Sequence, residues 1–167
     1  MITPPPFFQL KEGILLEDSK QLLNWGSSRA EAWKVGHAKH HNLPGDDTRI
    51  QWDEIMLGGL PCGLLAWLPD GARLDFVTLW LRYPEITYPN FAFHQYFRFF
   101  NHLAQCIGPS QVLPNAETSY TPVLTWKFQG CYLRLYTGDR HGEFTVLEVS
   151  LGPILRWKQT VPSTSSE

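Results

Sequence analysis

Residues 126–151 read WKFQGCYLRLYTGDRHGEFTVLEVSL, which is three short strand-like runs separated by two turns. In the middle run, Leu133 and Leu135 alternate with larger polar or aromatic residues, the two-residue period of a strand with one apolar face. Gln129-Gly130 and the Gly138–Gly142 segment supply the turns. The stretch therefore predicts an antiparallel meander with strands at 122–128, 131–137 and 143–151.

An earlier stretch has the same order of landmarks. The landmarks are Gly36, Trp52, Cys62 and Phe76 in the first half, and Gly108, Trp126, Cys131 and Phe144 in the second. The Gly-to-Trp interval is 16 positions in the first half and 18 in the second, and the Cys-to-Phe interval is 14 and 13. We therefore expect residues about 28–82 and 91–151 to superpose as two α-β-β-β units, with the tryptophans and the phenylalanines matched.

The segment before the first unit predicts a β-hairpin, because apolar runs at 14–16 and 21–25 flank a polar turn at 17–20. Ser28 and Glu31 form a capping-box pattern, so a helix is expected over 29–35, ending at Gly36. Strands are expected at 49–57, with a bulge near Asp53-Glu54, and at 60–68 and 73–82. The last of these is apolar on both faces, which predicts a central strand covered on both sides.

The second helix is expected from about Asn90 to Ile107, and Gly108-Pro109 ends it. Its predicted inward positions have helical spacing: Phe93, Tyr96, Phe97, Phe100, Leu103, Ala104 and Ile107. Two short-turned meanders and two helices predict an α+β domain over residues 1–159, followed by a flexible tail at 160–167. The expected core includes Trp52, Phe76, Leu79, Phe97, Leu133, Leu135, Leu147 and Val149.

The composition narrows the function classes. The chain has 167 residues, 43% of them hydrophobic and 18% charged, with a net charge of −2. No basic stripe or long apolar segment is visible, so neither nucleic acid nor a membrane is expected as a partner. The start lacks a secretory signal pattern, and three widely spaced cysteines are typical of a reduced cytosolic protein.

Two clusters of titratable residues are candidates for chemistry. His37, His40 and His41, with Asp46 and Asp47 nearby, are the one metal-like group in the sequence, but a solvated loop is the favoured interpretation. The Asp139, Arg140, His141 and Glu143 cluster resembles a charged hairpin tip more than a catalytic site. No nucleophile elbow, phosphate loop or dinucleotide fingerprint is present, so no metal, cofactor or enzymatic activity is expected.

Aromatic residues are the remaining signal, with 7 Trp, 6 Tyr and 10 Phe. Trp and Tyr are frequent in recognition surfaces because they bury a large area while keeping a polar atom. The second helix carries more aromatic residues than a single stripe can hold. This pattern indicates either a helix sandwiched between layers or an exposed aromatic patch that binds a partner.

Three phrases of the chain point to a known class of proteins. Residues 23–28 (LNWGSS) leading into a short helix, Trp126-Lys127-Phe128, and residues 133–151 resemble immunity proteins encoded beside bacterial polymorphic or contact-delivered toxins. The resemblance implies a cytosolic, non-enzymatic protein that neutralises one cognate toxin by covering its active site. Two alternatives stay open: a binder of small molecules or carbohydrates, or a small enzyme using His94, His102 or His141.

The immunity interpretation predicts an acidic and aromatic contact surface, suited to a basic cleft such as that of a nuclease. The chain is expected to act as a monomer or homodimer. The candidate partner-binding residues are Asp46, Asp47, Glu54, Asp70, Tyr88, Phe91, Asp139 and Arg140.

Overall fold

A computed structural model of the protein describes residues 9–41, 45–82, 91–113, 121–138 and 144–153. The proline-rich start, the 84–89 connection, the 139–143 turn and the tail at 160–167 lie outside these ranges. The elements in chain order are β1 (Gly13–Leu16), β2 (Gln21–Asn24), α1 (Arg29–Ala32), β3 (Lys39–His40), β4 (Arg49–Met56), β5 (Leu60–Trp67), β6 (Phe76–Leu81), α2 (Phe91–Ile107), β7 (Gln111–Val112), β8 (Leu124–Phe128), β9 (Cys131–Gly138) and β10 (Phe144–Leu151).

The strands form two antiparallel sheets. Strands β1 and β2 make the predicted hairpin, and the other eight lie in the order β3-β4-β5-β6-β10-β9-β8-β7. The two meanders therefore meet along β6 and β10, and each ends at the outside in a two-residue strand. The predicted α+β class is confirmed, whereas the short strands β3 and β7 were not expected.

Helix α1 begins with the predicted capping box. The Ser28 hydroxyl accepts the Glu31 N–H at 3.3 Å, and the Glu31 carboxylate accepts the Ser28 N–H at 2.7 Å. The helix is shorter than expected, because only 29–32 are helical and the chain continues in turns to Gly36, whose φ is +56°. Each side chain of the box satisfies a backbone donor that the first turn leaves free.

One face of the large sheet is buried. Its central row contains fully buried side chains from five adjacent strands: Trp52, Leu64, Leu79, Leu147 and Leu135. Helix α2 packs on β9 and β10, and the hairpin packs on β4, so these elements cover the buried face. Of the predicted core, Trp52, Leu79, Leu133, Leu135, Leu147 and Val149 are confirmed as buried.

Two expectations about the strands are wrong. Strand β4 pairs with β5 without interruption from Arg49↔Trp67 to Met56↔Leu60, so no bulge occurs at Asp53-Glu54. The apparent break in the apolar pattern arises because Glu54 takes an inward position and is 1% exposed. Strand β6 is covered on one face only, because Phe76, Thr78 and Trp80 are half-buried.

The inward face of α2 also differs from the expected one. Its buried residues are Ala92, Gln95, Tyr96, Phe99, Leu103 and Cys106. Phe97, expected in the core, is 54% exposed, and Phe93 and Phe100 are half-buried beside it. Both sets have helical spacing, so periodicity alone could not decide which set faces the sheet.

Candidate functional site: the open face of the sheet

The second face of the large sheet is not packed against another described helix or strand, and we call it the open face. Because side chains alternate along a strand, this face carries the residues between the core positions. It holds six aromatic side chains among polar and aliphatic ones. Its members include Gln51, Asp53, Leu65, Trp67, Phe76, Thr78, Trp80, Thr125, Lys127, Tyr132, Arg134, Tyr136, Phe144, Val146, Glu148 and Ser150.

An ion pair lies at the centre of the open face. Arg134 and Glu148 are direct partners on β9 and β10, and the Arg134 Nε lies 3.6 Å from the Glu148 Oε2. The Tyr136 hydroxyl donates to the other oxygen of Glu148 at 3.0 Å, and the Arg134 guanidinium lies 4.7 Å from the centre of the Tyr136 ring. The two charged side chains are 24% and 15% exposed. Such a pair fixes geometry more than it adds stability.

An aromatic row runs beside this ion pair. Trp67 on β5 and Phe76 on β6 line one shallow pocket, and Tyr132 follows on β9, separated from Phe76 by Ser150 of β10. The Lys127 Nζ lies 5.5 Å from the centre of the Tyr132 ring. Trp67 is 56% exposed, a large fraction for an indole on a folded surface.

Trp80 occupies the opposite side of the ion pair and depends on a glycine. Gly63 is its direct partner on β5, and a Cβ at Gly63 would lie 2.2 Å from the Trp80 ring. The indole therefore lies flat over β5, in a position that any other residue at 63 would block. Its ring also makes an edge contact with His41, with 6.4 Å between ring centres.

Two pockets with described walls are small. One, of about 170 Å³, lies on the open face among Leu65, Trp67, Phe76 and their neighbours. The other, of about 230 Å³, lies between α1 and the β5–β6 turn. Pockets for drug-sized ligands usually measure about 300–1,000 Å³. Both are closer in size to a recess for one side chain.

The three loop histidines are engaged with separate partners. His37 lies 3.2 Å from the Glu54 carboxylate, and His40 lies 3.5 Å from Asp47. The His41 Nδ1 is 2.7 Å from the amide oxygen of Gln51. Within the part of the chain that the structure describes, no three His, Cys, Asp or Glu side chains are grouped as a metal site requires.

The predicted acidic residues are engaged separately rather than gathered on one surface. Asp46 accepts the N–H and the hydroxyl of Thr48, while Asp70 is 92% exposed and pairs with Arg29 at 2.8 Å. The Thr48 hydrogen bonds lower the pKa of Asp46 below its ordinary value. Asp47 is exposed beside His40.

Glu54 is the exception among the predicted contact residues, because its side chain is fully buried. It accepts from the N–H and hydroxyl of Ser19 at 3.0 and 2.8 Å, and from the N–H of His37 at 3.0 Å. Its carboxylate is therefore inaccessible to a partner, and the sequence-based assignment of Glu54 to a contact surface is corrected. Tyr88, Asp139 and Arg140, and the side chain of Phe91, lie outside the described part of the molecule.

A cysteine and a histidine lie one turn apart on α2 but do not form a catalytic pair. The Cys106 Sγ is 3.6 Å from the His102 Nε2, which is itself 2.6 Å from the Leu57 carbonyl oxygen. A carbonyl oxygen only accepts, so Nε2 carries the proton and cannot take one from the thiol. Burial raises the pKa of the Cys106 thiol, which also disfavours the reactive thiolate.

The alternation of residues in the sequence indicates that an open face exists, but it does not show which strands share that face. Tyr132, Arg134 and Tyr136 alternate with leucines, which marks them as one face of β9. What sequence could not show was that Trp67, Trp80 and Glu148 share that face.

Among the described residues, no helix is long and apolar enough to cross a membrane. No protein-family model matches the chain, and no match was found among curated proteins or solved structures.

Proposed function

We propose that this chain is a non-enzymatic protein-binding domain that docks its partner on the open face, and that it acts as an immunity protein neutralising a cognate toxin by covering the toxin's active site. The observation that carries the proposal is a broad sheet face with Trp67, Phe76, Trp80, Tyr132 and Tyr136 around a central ion pair. Trp, Tyr and Arg are the residues most often found at the energetic centre of protein interfaces.

The shape of the face favours a protein over a small ligand. The pocket on the open face measures about 170 Å³, and its lining is mostly apolar, with Asp75 and Thr78 as the polar residues. A flat surface of this kind gains binding energy from many contacts spread across a partner rather than from enclosing a ligand. The carbohydrate-binding alternative would require a deeper platform than this pocket provides.

A second aromatic surface is the outer side of α2, with the exposed Phe97 and the half-buried Phe93. It consists of one stripe on one helix, whereas the open face spans six strands. The open face also contains hydrogen-bonding groups and both signs of charge, which give specificity to a complex. We therefore assign the docking surface to the open face.

The symmetry of the sheet supports a further proposal, that the two units arose from one α-β-β-β-β element by duplication. Pairs in the first unit have counterparts in the second: Lys39↔Gln51 with Gln111↔Thr125, Trp52↔Leu64 with Trp126↔Leu133, and Leu64↔Leu79 with Leu133↔Val149. The same matching relates Leu79 to Val149 and Val77 to Leu147. It therefore maps the pair Leu79↔Leu147 onto the pair Val77↔Val149 at the β6–β10 junction.

The two tryptophans support the same proposal through their hydrogen bonds. The Trp52 indole N–H donates to the Val35 carbonyl at 2.8 Å, and the Trp126 indole N–H donates to the Gly108 carbonyl at 3.0 Å. Both acceptors lie where the chain leaves a helix, so each indole joins a helix end to the sheet. The same strand register relates Phe76 to Val146. The spacing in the sequence had predicted a match with Phe144 instead.

Calorimetric titration against the product of a neighbouring toxin-like reading frame tests the function. Trp67→Ala should weaken binding at least tenfold, or about 1.4 kcal/mol, because it removes an exposed indole from the open face. Phe97→Ala is the matched control, since Phe97 is 54% and Trp67 is 56% exposed, and the control should bind like the wild type. Absence of binding by the wild type would contradict the immunity proposal. Loss of affinity in Phe97→Ala alone would move the docking surface to α2.

A further inference from the structure

The pocket of about 170 Å³ on the open face combines apolar walls with one carboxylate. Leu65, Trp67, Leu68 and Phe76 are the apolar residues of its lining, and Asp75, directly before β6, and Thr78 are the polar ones. This pocket differs from a purely apolar one, because an apolar ligand group would leave the Asp75 carboxylate without a positively charged partner.

Asp75 is exposed, and its carboxylate makes no hydrogen bond or ion pair with another described residue. Its backbone is nonetheless fixed, since the Asp75 carbonyl accepts the Leu151 N–H at 2.8 Å. Arg49, the β4 partner of Trp67, is directed to Asp46, with 3.9 Å between Nε and Oδ2. The backbone of Asp75 is therefore held in place beside the pocket, and its carboxylate is available to a ligand.

From this geometry we infer that the pocket accepts a lysine or arginine side chain of the docked protein. The aliphatic stem lies along Leu65 and Phe76, the cationic head stacks on the Trp67 indole, and the Asp75 carboxylate pairs with it. A cation over Trp gains from the negative face of the ring, and a carboxylate on the same cation adds a charge-assisted hydrogen bond. The volume suits one long side chain and is smaller than that of most small-molecule sites.

This inference rests on the proposed function, and it narrows the partner to a protein that presents a basic side chain to the open face. It agrees with the expectation of a basic toxin cleft but places the complementary carboxylate at Asp75, outside the acidic set predicted from sequence. A basic residue of the toxin, inserted between Trp67 and Asp75, would anchor one end of the interface.

The test uses the full chain and no toxin. N-acetyl-argininamide is titrated into ¹⁵N-labelled protein, and the indole N–H signal of Trp67 is followed, after assignment by its loss in Trp67→Phe. We expect a saturable shift with a dissociation constant in the millimolar range, weakened by added salt. Asp75→Asn should reduce the affinity at least fivefold. Glu12→Gln, which removes the same charge at an exposed site before β1, should leave it unchanged.

Three results would overturn the inference: no saturable shift, an equal shift with neutral N-acetyl-glutaminamide, or an unchanged affinity in Asp75→Asn. The spectrum of each variant shows directly whether it is folded, so a misfolded variant cannot be taken for a loss of binding. Failure here would leave the docking proposal standing. A positive titration with no effect of Trp67→Ala on toxin binding would instead contradict the docking proposal and keep the cation pocket.

Discussion

The two halves of the large sheet share a strand order but are covered by different elements. Over β9 and β10 lies the 17-residue helix α2, held by buried apolar side chains such as Phe99 and Leu103. In the first half, α1 has only four residues, and the β1–β2 hairpin covers β4 instead. The comparison shows that the buried face of a half-sheet with this strand order can be covered by a long helix or by a hairpin together with a short helix.

The core-facing residues that pair with Cys62 and Cys131 differ between the two halves. On β4 this residue is Glu54, paired with Cys62, and on β8 it is Phe128, paired with Cys131. Glu54 binds Ser19 of the hairpin turn and His37 after α1, so polar bonds add to the burial of Leu16 and Leu23 in attaching the hairpin. Phe128 packs against the core cluster, as expected where apolar contacts dominate. Substitutions and changes of pH at the β1–β2 hairpin and at α2 should therefore affect the free energy of unfolding differently.

The largest effect is expected from truncating the apolar attachment of α2. Phe99 is fully buried, so Phe99→Ala should lower the free energy of unfolding by about 3–5 kcal/mol through lost burial and a cavity. Phe97→Ala, two positions away and mostly exposed, should cost under about 1 kcal/mol. Urea denaturation of both variants provides the measurement, and equal losses would show that α2 is not attached by one face.

An intermediate effect is expected at the glycines that follow the two helices. Gly36 has φ +56°, and a Cβ there would lie 2.5 Å from the Glu54 Oε1 and 2.6 Å from a methyl of Leu16. Gly108 has φ +96°, with nothing within 4 Å of the added atom. Gly36→Ala should therefore cost about 3 kcal/mol, from backbone strain plus displacement of its neighbours, and Gly108→Ala about 1–2 kcal/mol from strain alone. Thermal unfolding of the two variants would contradict this if Gly108→Ala were the less stable.

The smallest effect is a pH dependence at Glu54, in the first half. Burial raises the pKa of Glu54, but hydrogen bonds from His37 and Ser19 lower it more, so it lies below the ordinary value of 4.5. A lowered pKa means that the stabilisation is complete above pH 4.5 and is lost as the pH falls through the folded value. The difference in unfolding free energy between wild type and Glu54→Gln should thus shrink on acidification. Denaturation over a pH series checks this, and a constant difference would contradict the role of the charge.

The sequence predicted those features that depend on local chemistry. The hairpin, the capping box of Ser28 and Glu31, and the termination of α2 before Gly108 follow from residue type and spacing. The core positions of β9 and β10 follow from strict alternation. All of these are decided within a few residues of the chain.

What the sequence could not predict depends on contacts between distant segments. Phe97 and Phe99 belong to competing stripes of one aromatic helix, and only the position of the sheet chooses between them. Glu54 resembles a surface residue until Ser19 and His37 meet it across the fold. The open face presents the same difficulty, because an exposed aromatic row and a buried one have the same alternation in sequence. The acidic residues predicted to bind a partner are engaged with separate neighbours, which also depends on the fold.

The outer strands of the large sheet have a consequence for behaviour in concentrated solution. Strands β3 and β7 contain two residues each, and beyond β3 the turn after β1 takes over the edge: the Glu17 N–H donates to the Ile55 carbonyl at 2.8 Å, and the Asp18 carboxylate accepts the Ile55 N–H at 3.0 Å. A long, flat edge would recruit further chains through its free peptide groups and grow into filaments. Because both border strands are short and the edge of β4 beyond β3 is occupied at Ile55, this side of the sheet offers little free backbone to which another chain could add as a strand.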